Sequence, residues 1–166
     1  MDKQKLIDAT RMAQAFNEAG MSKCIKHKVG CVLTDQRGRI KGSGYNGTPE
    51  GHTNCDEHFK ICHPEALADA MAYDLAELHR TWSASHEVHA EINVVAYTDR
   101  TEREGGTLYV THRPCSRCAP VICASGVKRV VFAIGGMSND SDDFLFKHSD
   151  VELVQMSKEE VYAAIH

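Results

Sequence analysis

Apolar residues recur at helical spacing from the start of the chain. Leu6, Met12, Ala13 and Phe16 share one face between roughly Asp2 and Glu18, and Gly20 follows as a stop. The pattern then turns strand-like. Residues 29–34 (Val-Gly-Cys-Val-Leu-Thr) and 39–45 (Arg-Ile-Lys-Gly-Ser-Gly-Tyr) flank Asp35-Gln36-Arg37-Gly38, a turn-rich link with glycine where a positive φ is needed, which predicts a β-hairpin. From Asn46 to His63 neither period persists, and Gly, Pro, Asn, Cys and His dominate, so this stretch reads as a long functional loop. Pro64 to His79 is rich in Ala, Leu and Glu with proline in the first turn, and His89 to Arg100 places Ile92, Val95 and Ala96 on one face; both predict helices. Gly105-Gly106 precede a strand at Thr107 to Thr111. Cys115 to Ser125 reads as a helix closed by Gly126, and the apolar run Val127 to Ile134 suits a buried strand. A short helix around Asp143 to His148, a strand at Val151 to Val154 and a last helix capped by Ser157-Lys158-Glu159-Glu160 follow. Helices alternating with strands after an initial hairpin predict an α/β fold. The expected architecture is a three-layer α/β/α sandwich with a mixed sheet of about five strands.

The 166 residues suffice for one hydrophobic core and are too few for two, so residues 1–166 are read as a single domain. With 19 basic against 23 acidic residues the net charge is -4, and no run of Lys and Arg is present to track a polynucleotide backbone. This argues against a nucleic acid polymer as partner. It leaves a small anionic substrate open, because one phosphate needs only one or two local cations or amides. No stretch has the apolar length of a bilayer span, and Met1-Asp2-Lys3-Gln4-Lys5 opens into a charged amphipathic segment rather than a signal peptide, so no membrane association and a cytoplasmic location are expected. Seven cysteines, an odd number, beside ten histidines favour thiolate metal ligands in a reducing compartment over a disulfide framework.

The chemistry concentrates in two short segments. Cys115 and Cys118 are three apart, and the preceding helix is opened by His89 with Glu91 two residues on. A C-x-x-C pair alone reads equally as a structural zinc knuckle or a redox pair. Joined to an upstream H-x-E and to Pro114, it matches the H-x-E…P-C-x-x-C pattern of zinc deaminases. Three protein ligands, His89, Cys115 and Cys118, leave one position for water, which distinguishes a catalytic zinc from a structural one. Glu91 then lies beside the metal without binding it and serves as proton shuttle. Cys31 and Cys123, each inside an apolar element, read as small core residues.

Several further segments carry a family resemblance over most of the chain: Ser22-Lys23-Cys24 with Lys28-Val29-Gly30, Gly44-Tyr45-Asn46-Gly47-Thr48-Pro49, Asn54-Cys55, His89-Ala90-Glu91-Ile92-Asn93 and Pro114-Cys115-Ser116-Arg117-Cys118. In that order they resemble the deoxycytidylate (dCMP) deaminases of the cytidine deaminase superfamily. The resemblance implies zinc-dependent hydrolysis of dCMP to dUMP with release of ammonia, feeding thymidylate synthesis. It implies that Asn46 binds the deoxyribose and that Val29, Val88 and Ala90 line the base pocket, the Ala90 amide facing a pyrimidine carbonyl. Read without it, Asn46-Gly47 is a turn. It further implies a second, structural zinc on Cys24, Cys55, His79 and Glu87, with His52, His58, Cys62, His63 and His86 as nearby competitors. A homohexamer activated by dCTP and inhibited by dTTP is implied too. Arg100, at the far end of the catalytic helix, falls at a position linked to that regulation, though it reads equally as a helix C-terminal cation.

The chain departs from the family at Ile134-Gly135-Gly136-Met137, where a phosphate-contacting tyrosine is expected. Glycine amides there, or Lys28, Arg113 and Arg117, are the alternative anion contacts. The departure keeps open a deaminase of an unphosphorylated or C5-modified deoxycytidine compound. A polynucleotide-editing deaminase and a catalytically silent zinc protein are the remaining rivals. The absence of a basic surface argues against the first and the presence of Glu91 against the second.

Overall fold

The computed structural model describes residues 2–135 and 140–165. Helix α1 (Lys3–Ala19) is capped by Asp2, whose carboxylate accepts from the Gln4 amide. Strands β1 (Gly30–Thr34) and β2 (Ile40–Tyr45) form the expected antiparallel hairpin, with Gly38 at φ 77° and the Asp35 carboxylate accepting from the Arg37 and Arg39 amides.

The stretch expected to be a loop, 46–63, contains helix α2 (Cys55–Cys62). The Glu57 carboxylate accepts from the Asn54 amide at its start, and only Cys55 and Phe59 of one face are buried, too little periodicity to read in a polar sequence. The single helix expected over 64–79 is divided. Helix α3 (Pro64–Ala68) stops where the Asp69 side chain accepts from the Ala72 amide, and α4 (Leu75–His86) starts from Asp74, held at φ 44° with its carboxylate accepting from the Glu77 amide. Two aspartates that compete for backbone donors thus break a segment whose composition favours helix.

Helix α5 (Ala90–Ala96) is shorter than the expected 89–100. The Thr98 hydroxyl donates to the Val94 carbonyl, and Asp99 begins a separate turn, α6 (Arg100–Arg103). Arg100 therefore does not lie on the helix that carries Glu91. After β3 (Thr107–His112), helix α7 (Cys118–Ala124) begins at the second cysteine of the C-x-x-C pair, not the first; Cys115 precedes it in a turn closed by the Cys118 amide on the Cys115 carbonyl. Strand β4 (Arg129–Ile134), helix α8 (Asp140–Lys147), strand β5 (Glu152–Gln155) and helix α9 (Lys158–Ile165) complete the fold. The Ser157 hydroxyl accepts from the Glu160 amide, as its sequence predicts.

The five strands form one mixed sheet in the order β2-β1-β3-β4-β5. β1 is antiparallel to β2 and β3, whereas β3, β4 and β5 run parallel. Helices cover both faces. Ala9, Met12 and Ala15 of α1 and Val161 of α9 pack on Val32, Tyr109 and Val131. On the other face Ala90, Val94, Cys118, Ala119, Ile122 and Phe146 meet Cys31, Leu33, Leu108, Val110, Val130 and Phe132. Helices α2 and α4 add a smaller cluster of Cys24, Cys55 and Phe59, flanked by Leu75, Leu78 and Trp82. All seven cysteines are free thiols, Cys31 fully buried and Cys123 half-buried. No helix of the described residues is long and apolar enough to cross a membrane.

Two contacts fix α1 on the sheet. At Gly30 an added Cβ would lie 1.9 Å from the Ala15 carbonyl oxygen and 2.4 Å from the Ala19 nitrogen, so only glycine allows this approach. Across the sheet, Asp8 of α1 accepts both terminal nitrogens of Arg129 at 2.8 and 2.7 Å, the Tyr109 hydroxyl at 2.9 Å and the Gln4 amide at 2.9 Å. Burial alone would raise the Asp8 carboxyl, but these donors outweigh it and hold it below the usual carboxylate range. A carboxyl lowered on folding stabilises above its unfolded pKa of about 3.9, and that contribution is lost as pH falls through the folded value. Asp8→Asn is expected to destabilise the fold by about 2–3 kcal/mol at pH 7, because it leaves a partly buried guanidinium underbonded. The variant should also lose less stability than the parent between pH 5 and pH 3, in urea titrations at each pH, by roughly the contribution of one carboxyl.

Candidate functional site

Residues Glu87, Val88 and His89 form a short extended link between α4 and α5. It is pinned by a two-way bridge in which the Val88 amide donates to the Gly47 carbonyl at 2.8 Å and the Gly47 amide to the Val88 carbonyl at 3.1 Å. His89 is the N-cap residue of α5 in extended conformation, so its ring leaves the helix axis and reaches the turn before α7. Its Nδ1 lies 3.4 Å from Cys115 Sγ and 3.3 Å from Cys118 Sγ. The three donor atoms converge within 4.8 Å of one another.

The electrostatics of this trio are those of soft ligands held close. A hydrogen bond from Cys118, helped by His89, holds Cys115 down to about 3 despite burial, and the same bond together with burial pushes Cys118 up. His89 is raised, first by its Cys115 contact. One sulfur of the pair is therefore biased toward the thiolate form, and two sulfurs with one imidazole nitrogen are the donor set zinc prefers. Glu91, in the first turn of α5, is 4% exposed, and burial raises its carboxyl above the usual range. Cys31 lies on the strand beneath, its thiol raised by burial and by the Glu91 charge. A buried carboxyl with a raised pKa next to a three-donor set can hold and release a proton near neutral pH. Arg117 lies outside the trio. Its Nη2 reaches His89 Nε2 at 2.5 Å and its Nη1 the Ala84 carbonyl at 3.2 Å, so this cation bears on the histidine rather than standing free for an anion.

A second cluster brings together Cys24, Cys55, His79 and Glu87, with all donor atoms within 4.8 Å. Cys24 Sγ is 3.2 Å from His79 Nε2. A hydrogen bond from Cys55, then the amides of His27 and Lys26, hold Cys24 down to about 4 against burial, while Cys55 is raised by Cys24 and burial. Burial, then the Cys24 charge, pushes Glu87 up to about 7, and its Oε1 is buried without a hydrogen-bond partner. Four donors with one orphaned carboxylate oxygen fit a closed metal site. The competing histidines are placed elsewhere. His58 and His86 both stack on Trp82, at centroid distances of 4.7 and 4.8 Å, while His52 and Cys62 are exposed.

Asn46 is 6% exposed and ties the segment after β2 to the loop that enters β1. Its Oδ1 accepts from the Val29 amide and its Nδ2 donates to the His27 carbonyl, both at 2.8 Å. Its backbone carbonyl accepts from Ser22 Oγ, which in turn accepts from the Cys24 amide, so the same loop touches both clusters. Val29 packs beside the core, and Ala90 is fully buried at the start of α5, where first-turn amides lack intrahelical acceptors. Arg100 is exposed and paired with Glu104 at 3.4 Å. Arg113 is set over the Phe132 ring at 5.4 Å, and Lys28 is exposed. Gly135 is exposed, whereas Gly136 and Met137 lie outside the described residues. Sequence reasoning missed the bridging role of Asn46 and the Arg117–His89 contact. Only the proximity of Arg117 to Cys118 signalled the latter.

Residues 5–134 match the family described as the cytidine and deoxycytidylate deaminase zinc-binding region. The chain is 33% identical over 174 residues to the deoxycytidylate deaminase of Enterobacteria phage T2, covering 90% of this chain and 92% of that protein. It is 31% identical over 132 residues to the deoxycytidylate deaminase of Homo sapiens, covering 80% of this chain and 66% of that one. Among solved structures, the dCMP deaminase of cyanophage S-TIM5 in complex with dCMP and dUMP superposes with a TM-score of 0.65. The two are 27% identical, over 94% of this chain and 99% of that chain.

Proposed function

Given that the chain belongs to the cytidine and deoxycytidylate deaminase family and is a hydrolytic deaminase, we propose that its substrate is dCMP, converted with water to dUMP and ammonia. The observation that carries this reading is the buried Glu91 carboxyl beside a convergent His89, Cys115 and Cys118 set with no fourth protein donor among the described residues. Zinc held by those three residues would supply the Lewis acidity that brings the pKa of water toward about 7. The remaining chemistry belongs to the chain. Glu91 accepts the proton of the attacking water and passes it to the pyrimidine ring nitrogen as the C4–O bond forms. It then takes the remaining proton from the new C4 hydroxyl and hands it to the amino group, so that the C4 carbonyl forms as the C4–N bond breaks and ammonia leaves. Its raised pKa suits a group that must hold and release a proton at neutral pH. The Ala90 amide faces the pyrimidine carbonyl, Val29 and Val88 flank the ring, and Asn46, fixed by its two backbone contacts, presents its remaining capacity to the deoxyribose.

We also propose a structural zinc on Cys24, Cys55, His79 and Glu87. The partnerless Glu87 Oε1 supports it, since an added cation would satisfy the atom that the protein leaves bare. The same reading includes a cytoplasmic homohexamer feeding thymidylate synthesis, activated by dCTP and inhibited by dTTP, with Arg100 at the regulatory position. A deaminase of deoxycytidine or a C5-modified analogue is the second reading, favoured by glycine at position 135 where a tyrosine is expected.

Three substrates decide between the readings. Zinc-loaded protein is expected to turn over dCMP with a higher kcat/KM than deoxycytidine or 5-methyl-deoxycytidine, and a reversed order selects the second reading. Glu91→Gln should lower kcat by a factor on the order of 10² to 10⁴ while atomic absorption shows metal retained. Metal analysis of the purified protein should return two zinc ions per chain, falling to one in Cys55→Ser, with a lower thermal midpoint in the variant. One ion in both proteins would eliminate the structural site.

A further inference from the structure

Asn46-Gly47 is the one Asn-Gly step in the sequence. Glycine leaves the backbone nitrogen that follows an asparagine unshielded by any side chain, which makes this pair prone to close on itself. The Gly47 nitrogen gives up its proton and attacks the carbonyl carbon of the Asn46 side chain. A nitrogen–carbon bond forms, and the side-chain Nδ2 departs with that proton as ammonia. Water then opens the resulting succinimide. Opening on the side-chain side leaves an aspartyl residue at position 46. Opening on the main-chain side leaves an isoaspartyl residue, whose backbone runs through the former side chain and is longer by an atom.

In the fold both reacting groups are already engaged. The Gly47 amide donates to the Val88 carbonyl at 3.1 Å, and the Gly47 carbonyl accepts from the Val88 amide at 2.8 Å. The Asn46 side chain, 6% exposed, accepts from the Val29 amide and donates to the His27 carbonyl, both at 2.8 Å. Ring closure therefore needs the Gly47 donor bond and both Asn46 side-chain bonds to open together. The conformation does not call for glycine at this position. Gly47 does not adopt a positive φ, and an added Cβ would meet no atom within 4 Å. The reactivity of the pair is held in check by hydrogen bonding rather than by steric shielding.

We propose that Asn46-Gly47 is a latent self-modification site, held shut by the Gly47–Val88 bridge and the Asn46 side-chain bonds, whose closure irreversibly disarms the enzyme. Residues 87–89 lean on that bridge, with Glu87 and His89 on either side of Val88. The longer isoaspartyl backbone moves Gly47 out of register with Val88 and releases both flanking donors. The aspartyl product lacks the Nδ2 donor and sets a carboxylate oxygen against the His27 carbonyl. A local opening of the bridge is in this way converted into a permanent covalent change.

The test follows two rates in one sample. The protein is incubated at mildly alkaline pH over a series of denaturant concentrations that spans its unfolding transition. Peptide mass spectrometry reads the amide-to-acid mass gain at position 46, and hydrogen–deuterium exchange reads the Gly47 amide. Deamidation in the native protein is expected to run roughly 10- to 100-fold more slowly than in the unfolded chain, and to rise with denaturant in step with exchange of that amide. A native rate equal to the unfolded one, or a rate that ignores exposure of the Gly47 amide, overturns the lock. Gly47→Ala, whose methyl group has open space in the fold, should suppress the reaction in the unfolded chain. An unchanged unfolded-state rate in that variant overturns Gly47 as the attacking group. The form that accumulates on long native incubation carries added negative charge and is separable by anion exchange. It is expected to have a lower thermal midpoint and to lose most turnover, on whichever of dCMP and deoxycytidine the parent prefers. Full turnover in that form overturns the disarming.

Discussion

The Gly47–Val88 bridge is the contact on which both clusters of candidate metal donors depend. Two hydrogen bonds hold residues 87–89 extended, and the flanking positions supply one ligand to each cluster, Glu87 to the closed set and His89 to the open one. The same bridge anchors the turn that carries Asn46, so Asn46 and the two candidate donor sets share one backbone junction. Geometry at the reactive centre is therefore set by a β-bridge between two loops rather than by a long helix. On the other side of the link the Cys24, Cys55 and His79 donor atoms gather within 4.8 Å of that of Glu87, with Cys24 Sγ 3.2 Å from His79 Nε2.

Charge placement follows a similar division. In each cluster one sulfur is driven toward thiolate by its neighbour, so the donor sets are already part-way to their ligating form. Burial works in the opposite direction on the carboxyls, keeping Glu91 and Glu87 able to carry a proton. The Asp8–Arg129–Tyr109 network on the other face of the sheet is separate from this balance. It joins α1 to β3 and β4 by charge-assisted hydrogen bonds, so the scaffold has an anchor of its own apart from the clusters.

Much of this was legible in the sequence where a residue's role is written in its own type and spacing. The H-x-E and C-x-x-C segments placed His89, Glu91, Cys115 and Cys118 together because zinc chemistry demands that donor set, and the alternating helix and strand periods gave the mixed five-stranded sheet. The failures share a physical cause. Helix α2 hides in a polar segment because it buries only Cys55 and Phe59, and the break between α3 and α4 is made by Asp69 and Asp74 side chains that take backbone donors. Composition puts Arg100 on the helix of Glu91 because it does not reveal that Thr98 and Asp99 end α5. Asn46 reads as a turn residue or a sugar ligand, yet its side chain also closes the wall between Val29 and His27, a tertiary role with no local pattern.

Gly30 has a consequence for how such a chain can change. It stands next to Val29 at the start of β1, and its constraint is the Ala15 carbonyl oxygen 1.9 Å from where a side chain would begin. Selection at this position acts through steric exclusion alone, and every single-codon replacement meets the same backbone wall. The neighbouring position, Val29, only partly buried against the core, carries no such backbone wall, while the register between α1 and β1 stays locked by its glycine.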